Sequence, residues 1–141
     1  MRFSIIYIIG LVFLTISGIS QAGTIKVDNA WIRALPPGIS ATAAYFDMEN
    51  VGEKPDKLLA IKTAMSSMAN IHETLKKDGV ATMVEKSSVP LPVKGKVSLS
   101  PGGMHVMLHG LQKDLVLGEK VVLNLVFEKA GAVPVEFTIK H

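Results

Sequence analysis

From residue 25 onward, apolar and polar side chains alternate with a period of two over most of the chain. Glycine, proline, asparagine or aspartate interrupts the alternation about every eight to twelve residues, the spacing of turns in an all-β domain. Period two is the repeat of a strand, whose successive side chains leave opposite faces. Ile25–Arg33 is predicted as a strand, followed by a loop at Ala34-Leu35-Pro36-Pro37-Gly38. Residues 42–50 are a second strand, closed by Asn50-Val51-Gly52. Residues 57–64 are apolar enough for a buried strand, and 70–76 and 80–85 are two more, joined at Asp78-Gly79. Pro90 and Pro92 break the chain. Residues 96–100, 104–109, 120–128 and 133–140 complete the set. The only helical hint is at 64–69, where Met65 and Met68 sit three apart; it reads as a connector with both methionines in the core. Many short strands with regular turns predict an all-β sandwich or barrel in one domain.

The stretch before residue 23 has a different pattern. Met1-Arg2 supplies a basic start, an apolar run follows from Ile5 to Leu14, and Ser20-Gln21-Ala22 ends it with small residues. This is the layout of a secretory signal peptide cleaved after Ala22, leaving residues 23–141 as an exported, periplasmic domain. As an uncleaved anchor the apolar run is marginal in length. The sequence has no cysteine. That excludes disulfides, lipid attachment through a lipobox and a blue-copper site, which needs a thiolate. The net charge of +3 includes Arg2 of the leader and is spread thinly. With no basic stripe and no interleaved aromatics, nucleic acid is not an expected partner. Nor is there a nucleophile motif or paired acid and base, so the chain does not read as an enzyme.

Candidate chemistry lies in two segments. After the turn at Pro101-Gly102-Gly103, alternation sends Met104, Val106 and Leu108 to a core face and His105, Met107 and His109 to the other. Asp78-Gly79 is the strongest hairpin signal of the chain. A two-residue turn there sets Lys77 opposite Val80, Thr74 opposite Met83 and His72 opposite Glu85. His72 and Met83 then become diagonal neighbours on a polar face, about 7–8 Å apart at the backbone. The chain thus offers two His/Met pairs, and their convergence would make a two-histidine, two-methionine site. Neutral imidazole with uncharged thioether suits Cu(I), whereas zinc and iron favour thiolate or carboxylate. Only the histidines would make such binding pH-dependent. Glu73 and Glu85 are surface charges or outer partners of a ligating imidazole. His109 reads as a neighbour rather than a ligand, His141 as part of a terminus, and Met48, Met65, Met68 and Met104 as core residues.

The spacing His72, ten residues, Met83, twenty-one residues, His105, one residue, Met107 resembles the signature of the periplasmic copper(I) chaperones associated with the CuA site of cytochrome c oxidase. Ala30-Trp31-Ile32-Arg33-Ala34 with Pro36-Pro37-Gly38, Ala43-Ala44-Tyr45-Phe46 and Asn50-Val51-Gly52 are similar to that family's first two strands. Ile71-His72-Glu73 and the segment from Pro101 to Leu108 are similar to its metal-binding segments. The resemblance implies a cupredoxin-like β-sandwich or barrel with a solvent-near Cu(I) site made by His72, Met83, His105 and Met107. It also implies delivery of copper to oxidase subunit II, often together with a Sco-type thiol protein. Copper storage or tolerance without a dedicated oxidase acceptor is the alternative. Some members take Cu(II) on a His/Met-rich tail; this chain ends at Ile139-Lys140-His141, so that second site is not expected. His109 stands where the family more often has an apolar residue or methionine.

Overall fold

The structure, a computed structural model, describes residues 23–141; the leader read over residues 1–22 lies outside the described residues. The strands are β1 (Ile25–Arg33), β2 (Ala41–Asn50), β3 (Asp56–Lys62), β4 (Ser66–Lys77) and β5 (Val80–Lys86), then β6 (Val89–Leu91), β7 (Lys96–Leu99), β8 (Met104–Leu111), β9 (Lys120–Phe127) and β10 (Gly131–Lys140). The described residues contain no helix. The strands form one sheet in the order β5-β4-β8-β2-β1-β10-β9-β3-β6, with β7 also paired to β2. Neighbours run antiparallel, except that β1 and β10 are parallel. The all-β class expected from the pattern, and the cupredoxin-like form that the resemblance implies, are the ones observed.

The alternating apolar residues meet in one contiguous core. At its centre the Phe46 and Phe137 rings stand edge to face, 5.8 Å between centroids and 87° apart. Ile32, Leu58, Leu108, Leu123, Leu125 and Ile139 are also fully enclosed. With no disulfide available, this packing is what opposes chain entropy.

Two features of the topology position the functional face. First, β2 has two partners along one edge: Ala41 to Ala44 pair with β8, and Phe46 to Glu49 with β7. β7 and β8 therefore follow one another along that edge, and residues 100–103 between them are looped out. Second, β4 is central to its end of the sheet, with β5 on one side and β8 on the other.

Two expectations need correction. The prolines at 90 and 92 do not keep the chain out of the sheet: Val89–Leu91 is a short edge strand, with Asp56 opposite Leu91 and Leu58 opposite Val89. At an edge the N–H that Pro90 lacks has no ladder partner to lose, while Val89 and Leu91 are buried. Residues 66–69, read as part of a connector, begin β4. Met65 is buried, but Met68 is 56% exposed rather than a core residue. Residues three apart share a helix face but lie on opposite faces of an extended chain. Met68 therefore joins Asn70 and His72 on the outer face, opposite to Ile71.

Candidate metal centre

The site begins at the hairpin turn. Asp78 and Gly79 have φ of 51° and 76°, both positive as a two-residue type I′ turn requires. The turn sets Lys77 opposite Val80, Thr74 opposite Met83 and His72 opposite Glu85, as read from the sequence. On the other side of β4, His72 stands directly opposite His105, and Asn70 opposite Met107. His72, Met83, His105 and Met107 are thus brought onto one face of three adjacent strands. His72 is at the centre with His105 as its direct neighbour, and Met83 and Met107 lie on its diagonals. The two imidazole rings are 5.8 Å apart between centroids and nearly perpendicular, at 86°.

A second turn prepares His105. Gly103 donates its N–H to the Ser100 carbonyl at 3.0 Å, Pro101 occupies the second position, and Gly102 has φ +86°. That is the pattern of a type II turn, whose third position needs a left-handed residue. The turn directs the Gly103 carbonyl back over the sheet, where it accepts from the Thr74 N–H at 3.1 Å. The same carbonyl lies 3.2 Å from His105 Nδ1. A carbonyl can only accept, so this contact places the proton on Nδ1 and leaves the lone pair on Nε2. His105 Nε2 is buried with no hydrogen-bond partner, and so is His72 Nδ1. Leaving a buried polar atom unsatisfied costs about 1–3 kcal/mol. Two such atoms on directly opposed residues fit a soft cation that takes imidazole nitrogen.

Exposure is graded across the face. His105 is only 5% exposed, while Met83 on the outermost strand is 62% exposed. An open cleft of about 470 Å³ lies over His105, Met107, Met83 and Thr74 and runs on past Ala43 to Tyr45 and Arg33. Of the two carboxylates considered as outer partners, Glu73 points to the opposite face and pairs with Lys86 at 3.1 Å. Glu85 is on the site face opposite His72 and accepts from Asn70 Nδ2 at 3.1 Å. Among the described residues no three His, Cys, Asp or Glu side chains come together as a metal cluster. His141 is exposed at the end of the chain.

The sequence reading missed the aromatic pair at the end of the cleft that Tyr45 and Arg33 line. Trp31 and Tyr45, cross-strand partners on β1 and β2, have ring centroids 4.7 Å apart. The Arg33 guanidinium lies 5.4 Å from the Tyr45 ring, and Lys140 Nζ lies 5.4 Å from the Trp31 ring. The β1–β2 register shifts at Asn29, whose φ is 52°. No local pattern foretold that bulge, so the aromatic pairing could not be foreseen.

Gly102 offers a direct test of this local design. A Cβ there meets nothing within 4 Å, so any penalty is conformational rather than steric crowding. Changing Gly102 to alanine is expected to destabilise by about 1–2 kcal/mol, the cost of a left-handed L-residue. It should also weaken metal binding by disturbing the Gly103 carbonyl that orients His105. Urea denaturation with a parallel metal titration checks both effects.

The all-β fold matches that of solved PCuAC domains. The chain resembles the copper-bound PCuAC domain from PmoF2, with TM-score 0.72 and 29% identity over 84% of this chain and 93% of that one. It also resembles the apo PCuAC domain from PmoF1, with TM-score 0.71 and 36% identity over 84% and 94%. For CuI-DR1885 from Deinococcus radiodurans the TM-score is 0.63 and the identity 28%, over 88% and 83%. Residues 25–139 match the family model described as "Putative lipoprotein LpqE-like", and the chain belongs to the LpqE-like family. A relative in Leifsonia xyli subsp. xyli, "Putative lipoprotein Lxx21020", is 35% identical over 121 residues, which is 85% of this chain and 72% of that protein.

Proposed function

We propose that this protein is a copper chaperone that carries Cu(I) on His72, Met83, His105 and Met107 and releases it by ligand exchange. The observation that carries this reading is the pair of buried, unpartnered ring nitrogens, His72 Nδ1 and His105 Nε2, on directly opposed residues. Copper-bound relatives of the same fold support it. All four donors are uncharged, which suits a soft monovalent ion. The gradient from enclosed His105 to exposed Met83 suits transfer. An acceptor thiolate or imidazole can replace the outermost thioether first, while the inner nitrogens still hold the ion. Acid favours release, because protons compete for the two imidazoles and not for the thioethers.

The protein acts in this reading as a carrier and not as an enzyme. Its place is the periplasm, after removal of the leader read over residues 1–22. Its acceptor is the CuA site of cytochrome c oxidase subunit II, reached directly or through a Sco-type thiol protein. Storage or copper tolerance would use the same site without that acceptor. The two are separated by deleting the protein and measuring oxidase CuA content at limiting copper. Delivery predicts a loss of CuA that added copper restores. Normal CuA with heightened copper sensitivity would replace delivery by storage.

A further inference from the structure

One residue pair beyond this set, Met68 and His109 stand directly opposite each other across β4 and β8. Both are on the outer face. Met68 is 56% exposed among polar neighbours, so packing does not account for it. Opposed residues of an antiparallel pair hold their Cβ atoms about 4.5–5.5 Å apart, which lets a thioether and an imidazole meet on one ion. The backbone beneath them is pinned. Ser67 Oγ donates to the His109 carbonyl at 3.2 Å. Gly110, at φ +63°, approaches Ser67 so closely that any Cβ would collide with that hydroxyl. The His72 ring has neighbours on both sides of this arrangement, with His105 at 5.8 Å and His109 at 6.5 Å between centroids.

The geometry points to a second, outer Cu(I) position made by Met68 Sδ and an imidazole nitrogen of His109, with His72 the inner-set imidazole whose ring lies 6.5 Å from that of His109. The nature of the ion rests on the copper reading above, but the residues are distinct from that ligand set. A thioether with a neutral imidazole suits Cu(I), whereas zinc is bound by thiolate, imidazole or carboxylate and not by thioether. The outer pair takes copper at the surface. The ion moves inward when His72 bonds to it in place of an outer donor, and His105 then replaces the second. Each new Cu–N bond replaces one Cu–S or Cu–N bond, and copper stays monovalent throughout, so no electron acceptor is needed.

The test is an anaerobic Cu(I) titration against a chromophoric chelator, with methyl-labelled methionine followed by NMR, on the wild type and on Met68→Ala/His109→Ala. The wild type is expected to take one tight equivalent and then a weaker one that shifts the Met68 methyl resonance. The double variant should keep the tight equivalent at unchanged affinity and lose the weaker one by on the order of tenfold or more in affinity. A second equivalent that leaves the Met68 methyl unmoved, or that persists in the variant, overturns the outer position. So does a variant whose tight equivalent weakens, because these residues would then belong to the inner site. A normal tight equivalent with no second one removes the outer position alone. A wild type that takes no Cu(I) removes the chaperone reading as well.

Discussion

Changing His72 and Met107 together to alanine is expected to weaken tight Cu(I) binding by more than about 100-fold, since even the outer partners of metal-bound imidazoles are worth about 10–100-fold. His72 is the centre of the face, opposed by His105 on β8 and diagonal to Met83 and Met107. Losing it leaves no imidazole to share the ion with His105. Losing Met107 removes the thioether that lies on β8 two residues from His105. Met83, diagonal to the missing ring on β5, and His105, directly opposite it on β8, are then left on either side of β4 with no donor between them. The metal-free variant should keep its fold, because removing His72 also removes a buried, unpartnered nitrogen that contributes nothing to apo stability. Chelator competition gives the affinity, and circular dichroism checks the fold. An affinity equal to wild type would end the ligand assignment.

Phe137→Ala should be the most damaging single change to the fold. The side chain is fully enclosed and meets Phe46 edge to face at the centre of the core. Deleting a buried phenylalanine costs about 3–5 kcal/mol through lost transfer energy and the cavity left behind. A domain's total stability is about 5–15 kcal/mol, and no disulfide holds this chain together. The midpoint of thermal unfolding should fall by roughly 10–20 °C for a domain of this size. Calorimetry reads that shift directly. A loss below about 1 kcal/mol would mean that β2 and β10 do not meet as described.

How readily each feature could be read from the residues depends on how local its cause is. The hairpin register needed only Asp78-Gly79, because a two-residue type I′ turn leaves one pairing. It put Met83 opposite Thr74, where it stands. The inward and outward faces of β8 followed from alternation, with Val106 and Leu108 enclosed. Met68 was misread because three-residue spacing was taken as helical, when the turn that would start a helix is absent. β6 was missed because proline normally argues against a strand, and nothing near Pro90 says that it will lie at an edge.

The pattern of residues was enough to establish an all-β chain, a His/Met pair on each of two segments and the soft chemistry of those donors, since side-chain period, turn type and ligand character are properties of short stretches. The pairing of β4 with β8 is different in kind. It is a contact between strands distant in the chain, and it depends on β2 holding β7 and β8 in line along one edge. That contact sets His72 opposite His105, encloses His105 under the Pro101 turn, and leaves Met68 and His109 facing each other outside. Strand alternation fixes which way a side chain points, but which side chain stands across from it is a matter of long-range register, and this is settled by how the whole sheet closes around Phe46 and Phe137.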